Sequence, residues 1–426
     1  MFTSRERVNL ALSHQEADRI PVDLGGSLGT GMHVSIVYQL RQALGLDRPG
    51  MPVRVIEPYQ MLGEIATDLM EALGSDVVNL PGVKNLFGYA NEGWKPWVFF
   101  DGIPMLVPEA FNTEPEPNGD LLMYPEGDRS APPSGRMPKG GFFFDTIVRQ
   151  PPLDESNLRV EDNLEEFGPI SAEDLDHFKQ EAERLHTETD KSIFAGFPGT
   201  AFGDIALVPA PWMKHPKGVR DIEGWYAITA SNPDFVCEIF ERQTQIALAN
   251  LARIHAAVGD RIAAVWVSGT DFGMQNGPFI SPRAYRQLYQ PYQWRINEWI
   301  HQHTSWKSLI HSCGSVRLLL DDFAAADFDI LNPVQCSAAR MDPAELKAAY
   351  GGRLTFWGGG VDTQRTLPFG TPDDVRREVR ERIKIFGPGG GFVFAAVHNI
   401  QARTPVENVL AMFETVREYG RYPLQA

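Results

Sequence analysis

The feature that most constrains this chain is a recurrence. Eight short apolar, β-branched runs are spaced through its 426 residues: RIPVDL (19–24), DVVNL (76–80), SIFAGF (192–197), IAAVWVS (262–268), WKSLIH (306–311), FDILNPV (328–334), RLTFWGG (353–359) and GFVFAAV (391–397). Most lack the polar–apolar alternation of a strand with one wet face, so they read as strands buried on both sides. Between them lie charged amphipathic runs opened by Ser281-Pro282, Asp342-Pro343 and Thr371-Pro372, pairs that cap and start helices. Strand and helix in regular succession imply parallel pairing. Eight such units fit a (β/α)8 TIM barrel, and an open doubly wound sheet of the same order is the alternative. Barrels lengthen by loop insertion, so residues 1–426 are expected to form a single domain.

One stretch breaks the rhythm. Over 94–152 the segments WVFFDGIPMLVP, NGDLLMYPEGD and GGFFFDTIV, punctuated by Pro and Gly, read as an inserted antiparallel β meander. Two roles are open to it: a surface excursion, or a lid or partner platform over one end of the barrel.

Composition narrows the partners. Hydrophobic residues make up 43% of the chain and charged residues 22%, enough for a folded core. A formal charge of -16 without any Lys/Arg cluster disfavours phosphate backbones and anionic lipid, so neither nucleic acid nor membrane is expected as a partner. The charged start MFTSRERVNLALSHQEADRI lacks a secretion signal, no run is long enough to span a bilayer, and three cysteines make no disulfide framework. A cytoplasmic location is the expectation, and a homo-oligomer is compatible with all of this.

In a parallel barrel the functional face lies where strands end, which singles out residues just past each run. These are Asp271, the pair His311 and Cys313 in LIHSCGSV, Cys336, the glycines 358–360, and His398 with Asn399. Thiolate and neutral imidazole are the ligand types zinc selects, and His311, Cys313, Cys336 and His398 could supply a tetrahedral set from separate loops. Asp362 would then be at hand to fix a histidine tautomer. The competing reading is chance spacing, with the cysteines as small buried hydrophobes, and Cys237 in NPDFVCEIF is read that way. His301 and His303 in WIHQH are read as a solvated helix end. Asp271 in SGTDFGMQNG is either a turn former or a carboxylate that binds substrate or relays a proton. The glycines of WGGGVDTQ, Gly359 among them, could let backbone N–H groups approach an anion, whereas GPGGG (387–391) reads as a helix stop.

At these residues the chain resembles the uroporphyrinogen decarboxylase superfamily, and within it the cobamide-dependent methyltransferase branch that includes methylcobamide:coenzyme M methyltransferases. The resemblance runs through TSRERVNLALSHQEADRIPVD, DFGMQNGPFISPRAYRQLYQPY, LIHSCGSV, WGGGVDTQRTLPFGTPDDV and HNIQARTPVENVLAMF; the insertion is unmatched. It implies a (β/α)8 barrel. The decarboxylases proper carry an arginine-bearing motif, typically MRQAGR, where this chain has PVDLGGSLGT without arginine. The methyltransferase branch carries zinc on His-x-Cys and on a later cysteine six residues before Thr-Pro. This chain keeps His311 and Cys313 but has His398 at the third position, before Thr404-Pro405. Exchanging thiolate for imidazole leaves the site one charge less negative and its metal more electrophilic; Cys336 could restore a second thiolate.

The resemblance thus implies zinc-dependent methyl transfer between a small methylated compound, such as an O-methyl ether, or a thiol, and a corrinoid. The Asp-x-His-x-x-Gly cobamide signature is absent, so the corrinoid would arrive on a partner protein. Asp271 would be catalytic, while Trp266, Phe272, Gly359 and Asn399 would line the substrate. The alternatives are a metal-free lyase acting on a small carboxylate and a non-catalytic binding subunit.

Overall fold

A computed structural model describes every residue except Met1, Pro151, Ala201, Phe202, Ile205, Ala206 and Ala426. Seven of the apolar runs form one parallel sheet: β1 (Val77–Leu80), β2 (Ser192–Gly196), β3 (Ile262–Ser268), β4 (Lys307–His311), β5 (Ile330–Asn332), β6 (Thr355–Trp357) and β7 (Phe392–Val393), ordered as in the chain. Each strand is paired in parallel with the next, for example Trp266 with Leu309, His311 with Asn332 and Trp357 with Val393. The sheet curls into a TIM-barrel-like α/β fold. The first run, 19–24, lies between its two edges. Val22 bridges Phe394 in parallel, Phe394 N–H donates to Pro21 O at 2.8 Å, and Asp76 N–H donates to Val22 O at 2.7 Å.

Side-chain alternation explains what fills the interior. Val77, Phe194, Ala264, Leu309, Ile330, Trp357 and Val393, one from each strand, form a single cluster with Val8, Ala11 and Leu12 of the helix Ser4–Leu12. That helix, held by a Thr3/Glu6 capping box, plugs the end where strands begin. Two residues further along their strands, Trp266, His311 and Asn332 share the inward face and rise towards the opposite mouth.

The helices outside begin where expected, with Ser281, Asp342 and Thr371 as N-caps and proline in the first turn. Helix Pro372–Phe386 ends at Gly387, so GPGGG is a helix stop. Cys237 lies half-buried against the core in helix Pro233–Val258.

Residues 94–152 divide between two sheets instead of forming one meander. Lys95–Val98 and Pro104–Val107 make an antiparallel hairpin whose second strand pairs in parallel with Val53–Glu57, while Leu121–Met123, Gly135–Met137 and Asp145–Thr146 form a separate antiparallel sheet. Turn residues reveal the hairpin, but its attachment to Val53–Glu57 is a non-local pairing that leaves no local mark. The excursion touches the mouth through Phe142, whose carbonyl lies 3.0 Å from His33 Nε2 and whose ring carries Arg403 at 4.5 Å. Among the described residues no helix is long and apolar enough to cross a membrane.

Candidate metal centre

His311 ends β4, Cys313 lies in the turn that follows, and His398 follows β7. The fold brings their ligand atoms within 4.8 Å of one another. His311 Nε2 is 3.5 Å from Cys313 Sγ, and the rings of His311 and His398 meet edge-on with centroids 5.5 Å apart.

Hydrogen bonding fixes which nitrogen of His311 is free. Asn332 Nδ2 donates to the Trp357 carbonyl at 2.8 Å, so Asn332 Oδ1 must face His311 Nδ1, 2.6 Å away. A carbonyl only accepts, so Nδ1 carries the proton and the lone pair of Nε2 points towards Cys313. Trp266 stacks on the ring at 4.7 Å and 20°. On another side a Cβ at Gly29 would come within 3.1 Å of His311 Cε1, so only a residue without a side chain lets the strap 25–31 lie this close.

Burial sets the protonation states. It lowers the His311 pKa against the opposing pull of Asp271 and Asn332, and it lowers that of His398 to about 4, with nearby His311 adding to the effect. Both rings are therefore neutral at physiological pH, with lone pairs to offer. Burial, then the Asp271 carboxylate, pushes the Cys313 thiol well above its ordinary range, so it stays protonated until a cation joins it. Two imidazoles and a thiol suit zinc, whose Zn–N of about 2.0 Å and Zn–S of about 2.3 Å put tetrahedral N and S ligands about 3.5 Å apart. The His311–Cys313 separation matches that edge.

The other expected residues fall in different places. Asp271 is at the centre: its Oδ1 accepts from Cys313 N–H at 2.6 Å and lies 3.9 Å from His311 Nε2. Cys336 is outside the cluster. Its Sγ lies 3.6 Å from Val334 O, and burial raises its pKa to about 12 against the opposing pull of Arg382, with the carboxylates of Glu378, Asp342 and Asp362 adding to the rise. Phe272 points away from the mouth into the core, edge-on to Tyr285 and Tyr289 at 5.3 and 4.9 Å, while its backbone N–H donates to Ser312 Oγ at 2.9 Å. Gly359 packs where a Cβ would meet Val334 at 2.8 Å, and the flanking N–H groups of Gly358 and Gly360 donate to Val393 O and Ala395 O, so the triplet is a close-packing device, not an anion nest. Asn399 is buried with its amide engaged by Gly31 N–H, Leu28 O and Gln60 Oε1; it holds the strap over His311. Asp362 accepts from Gln364 and Arg365 N–H in its own turn. The tautomer is fixed by Asn332 instead, a residue whose one signal in the sequence is a polar side chain closing the apolar run FDILNPV.

The model of the family described as uroporphyrinogen decarboxylase (URO-D) matches residues 151–419, well over half of the chain. The chain belongs to the uroporphyrinogen decarboxylase family. Its relatives within that family include the uroporphyrinogen decarboxylase of Nostoc punctiforme, 23% identical over 285 residues that cover 66% of this chain and 74% of the other. A second, from Azoarcus, is 32% identical over 81 residues, or 19% of this chain and 22% of the other. Among solved structures, a methyltransferase from Methanosarcina mazei superposes with a TM-score of 0.56 at 17% identity, covering 98% of this chain and 99% of that one. The likeness of fold therefore extends through nearly the whole chain.

Proposed function

We propose that this URO-D family member is a zinc-dependent methyltransferase. It moves a methyl group between a small methylated compound, such as an O-methyl ether, or a thiol, and a corrinoid carried on a partner protein. The observation that carries this reading is the convergence of His311, Cys313 and His398 within 4.8 Å. These three would hold the ion and leave a fourth position open, the arrangement of catalytic zinc. Bound there, zinc supplies Lewis acidity towards a thiol or an ether oxygen.

The remaining chemistry belongs to the chain. Asn332 holds His311 in the ligating tautomer. Trp266 covers one face of that ring, and the strap 25–31 lies against another side, so both exclude water from the nitrogen. Asp271, anchored by Cys313 N–H and partly exposed, is the group placed to take up or return a substrate proton. Decarboxylation of a polycarboxylate is less well supported, since the strap pressed against His311 reads GGSLGTG and offers no cation. The shared architecture with the Methanosarcina methyltransferase adds weight to the fold, though not to a substrate.

The test is zinc content together with methyl exchange between methylcobalamin and a small thiol, and between an aryl methyl ether and cob(I)alamin. Wild type should hold one zinc and catalyse at least one exchange, and His311→Ala should lose both. A zinc-free wild type that decarboxylates a small acid would replace this reading with the lyase.

A further inference from the structure

Cys313 sits in a turn whose backbone is held from outside. Three successive N–H groups donate to three different neighbours: Cys313 to Asp271 Oδ1 at 2.6 Å, Gly314 to Gln335 Oε1 at 2.8 Å and Ser315 to Met274 O at 2.8 Å. Asp271 and Met274 belong to the loop after β3, and Gln335 to the loop after β5. Asp271 is partly exposed and is the group placed to exchange a substrate proton, whereas Gln335 is buried and neutral. The bond from Gly314 is therefore the side-chain tether of this turn that proton exchange at the mouth leaves intact. Gly314 has φ +84°, and a Cβ there would meet Gly273 O at 2.4 Å, so glycine lets the turn pack on the β3 loop where Gln335 grips it.

Hydrogen bonding fixes the Gln335 amide. A backbone N–H only donates, so Oε1 faces Gly314, and Nε2 is left to donate to Gln275 Oε1 at 3.3 Å. Gln275 Nε2 donates in turn to Ser337 O at 2.7 Å, and a carbonyl only accepts, so the second amide is fixed in the same sense. The relay joins the loops after β3, β4 and β5, and two backbone groups set its direction.

The structure assigns Gln335 as the positioning residue of Cys313. Its amide holds the turn so that Cys313 Sγ stays 3.5 Å from His311 Nε2, and Gln275 locks that amide in place. The end of β5 thus orients two candidate ligands, His311 through Asn332 and Cys313 through Gln335. The assignment rests on the zinc reading above for the ligand role of Cys313, and on the hydrogen bonds alone for the tether.

Two measurements on the purified full chain test it. Hydrogen–deuterium exchange at the Gly314 amide reads the tether without any metal. Exchange should be slow in wild type, about tenfold faster in Gln335→Met, and slow again in Gln335→Glu, which keeps an acceptor. Cobalt(II) titration reads the consequence for the sulfur. Wild type should show a thiolate-to-cobalt charge-transfer band; Gln335→Met should bind cobalt about tenfold more weakly with that band diminished at saturation, and Gln335→Glu should restore it. Asn332→Leu should weaken cobalt binding yet keep the band, which separates placement of the sulfur from general loosening of the site. Fast exchange at Gly314 in wild type, or a full band in Gln335→Met, would overturn the assignment even where zinc binding and methyl transfer hold. A wild type that protects Gly314 but takes up no cobalt would overturn the metal reading, and this assignment with it.

Discussion

His311 Nδ1 and Asn332 Oδ1 lie 2.6 Å apart on adjacent, register-paired strand ends, and Asn332 is itself pinned by its bond to the Trp357 carbonyl. The chain thus orients its candidate ligand through backbone that belongs to the barrel wall. Asn332→Leu is expected to keep the fold but free the ring to rotate and change tautomer. Zinc affinity, measured by chelator competition, should fall by about 10–100-fold. Unchanged affinity would mean that packing against Trp266 alone holds the ring.

The parts of this arrangement that were legible in the sequence share a physical cause. Strands buried on both faces must be apolar along their whole length, so every run from RIPVDL to GFVFAAV marks a stave or the segment between the sheet's edges. Parallel topology then places whatever follows a strand at one mouth, which is why His311, Cys313 and His398 could be gathered without coordinates. Side-chain direction within a loop has no such code. Phe272 packs inward on Tyr285 and Tyr289, Asn399 is consumed by the strap, and Cys336 faces Val334, although by residue type each suited the mouth. Asn332 was overlooked for the converse reason, as one polar residue inside a run read for its apolarity.

Cys336 and Cys313 should therefore behave differently. Cys313→Ser is expected to lower zinc content sharply, because a hydroxyl seldom ionises to replace a thiolate ligand. Cys336→Ser should retain zinc at the wild-type level, as measured by metal analysis after dialysis. Loss of metal in both would place the third cysteine in the coordination sphere.

Gly29 offers a steric test. A Cβ there would sit 3.1 and 3.2 Å from His311 Cε1 and Nδ1, close enough that the ring must give way by a few tenths of an ångström. Gly29→Ala should weaken zinc binding several-fold with little change in melting temperature, and Gly29→Val should weaken it further. A graded loss of this kind would distinguish ring displacement from general unfolding.

Asp76 ties the plug helix and the first run to the sheet. It is fully buried and accepts from Arg7 at 2.7 Å, from Arg19 at 2.6 and 2.8 Å, and from Val22 N–H at 2.9 Å. Asp76→Ala would strand a buried guanidinium group and an unpaired amide, so a loss of about 3–5 kcal/mol is expected from the denaturant midpoint. Arg7 keeps Asp18 as a partner, which favours the lower end of that range.

His301 supplies a pH dependence remote from the candidate metal centre. Its Nδ1 and Nε2 face Asp327 at 2.9 Å and Asp329 at 2.6 Å, and Lys307 Nζ approaches the other oxygen of Asp329 at 2.9 Å. A neutral imidazole has one N–H, so only the imidazolium can donate to both carboxylates. The hydrogen bond to Asp329, then the charge of Asp329 and the bond to Asp327, outweigh burial and raise its pKa in the fold above the ordinary value of 6.5. A raised pKa in the folded state means the stabilisation is complete below the unfolded value and disappears as the pH climbs through the folded one. Wild-type unfolding free energy should therefore decline from about pH 6.5 upward, while His301→Gln should be less stable at pH 6 and show a flatter profile. If the two proteins lose stability in parallel over that interval, the imidazolium bridge between Asp327 and Asp329 is not the source of the slope.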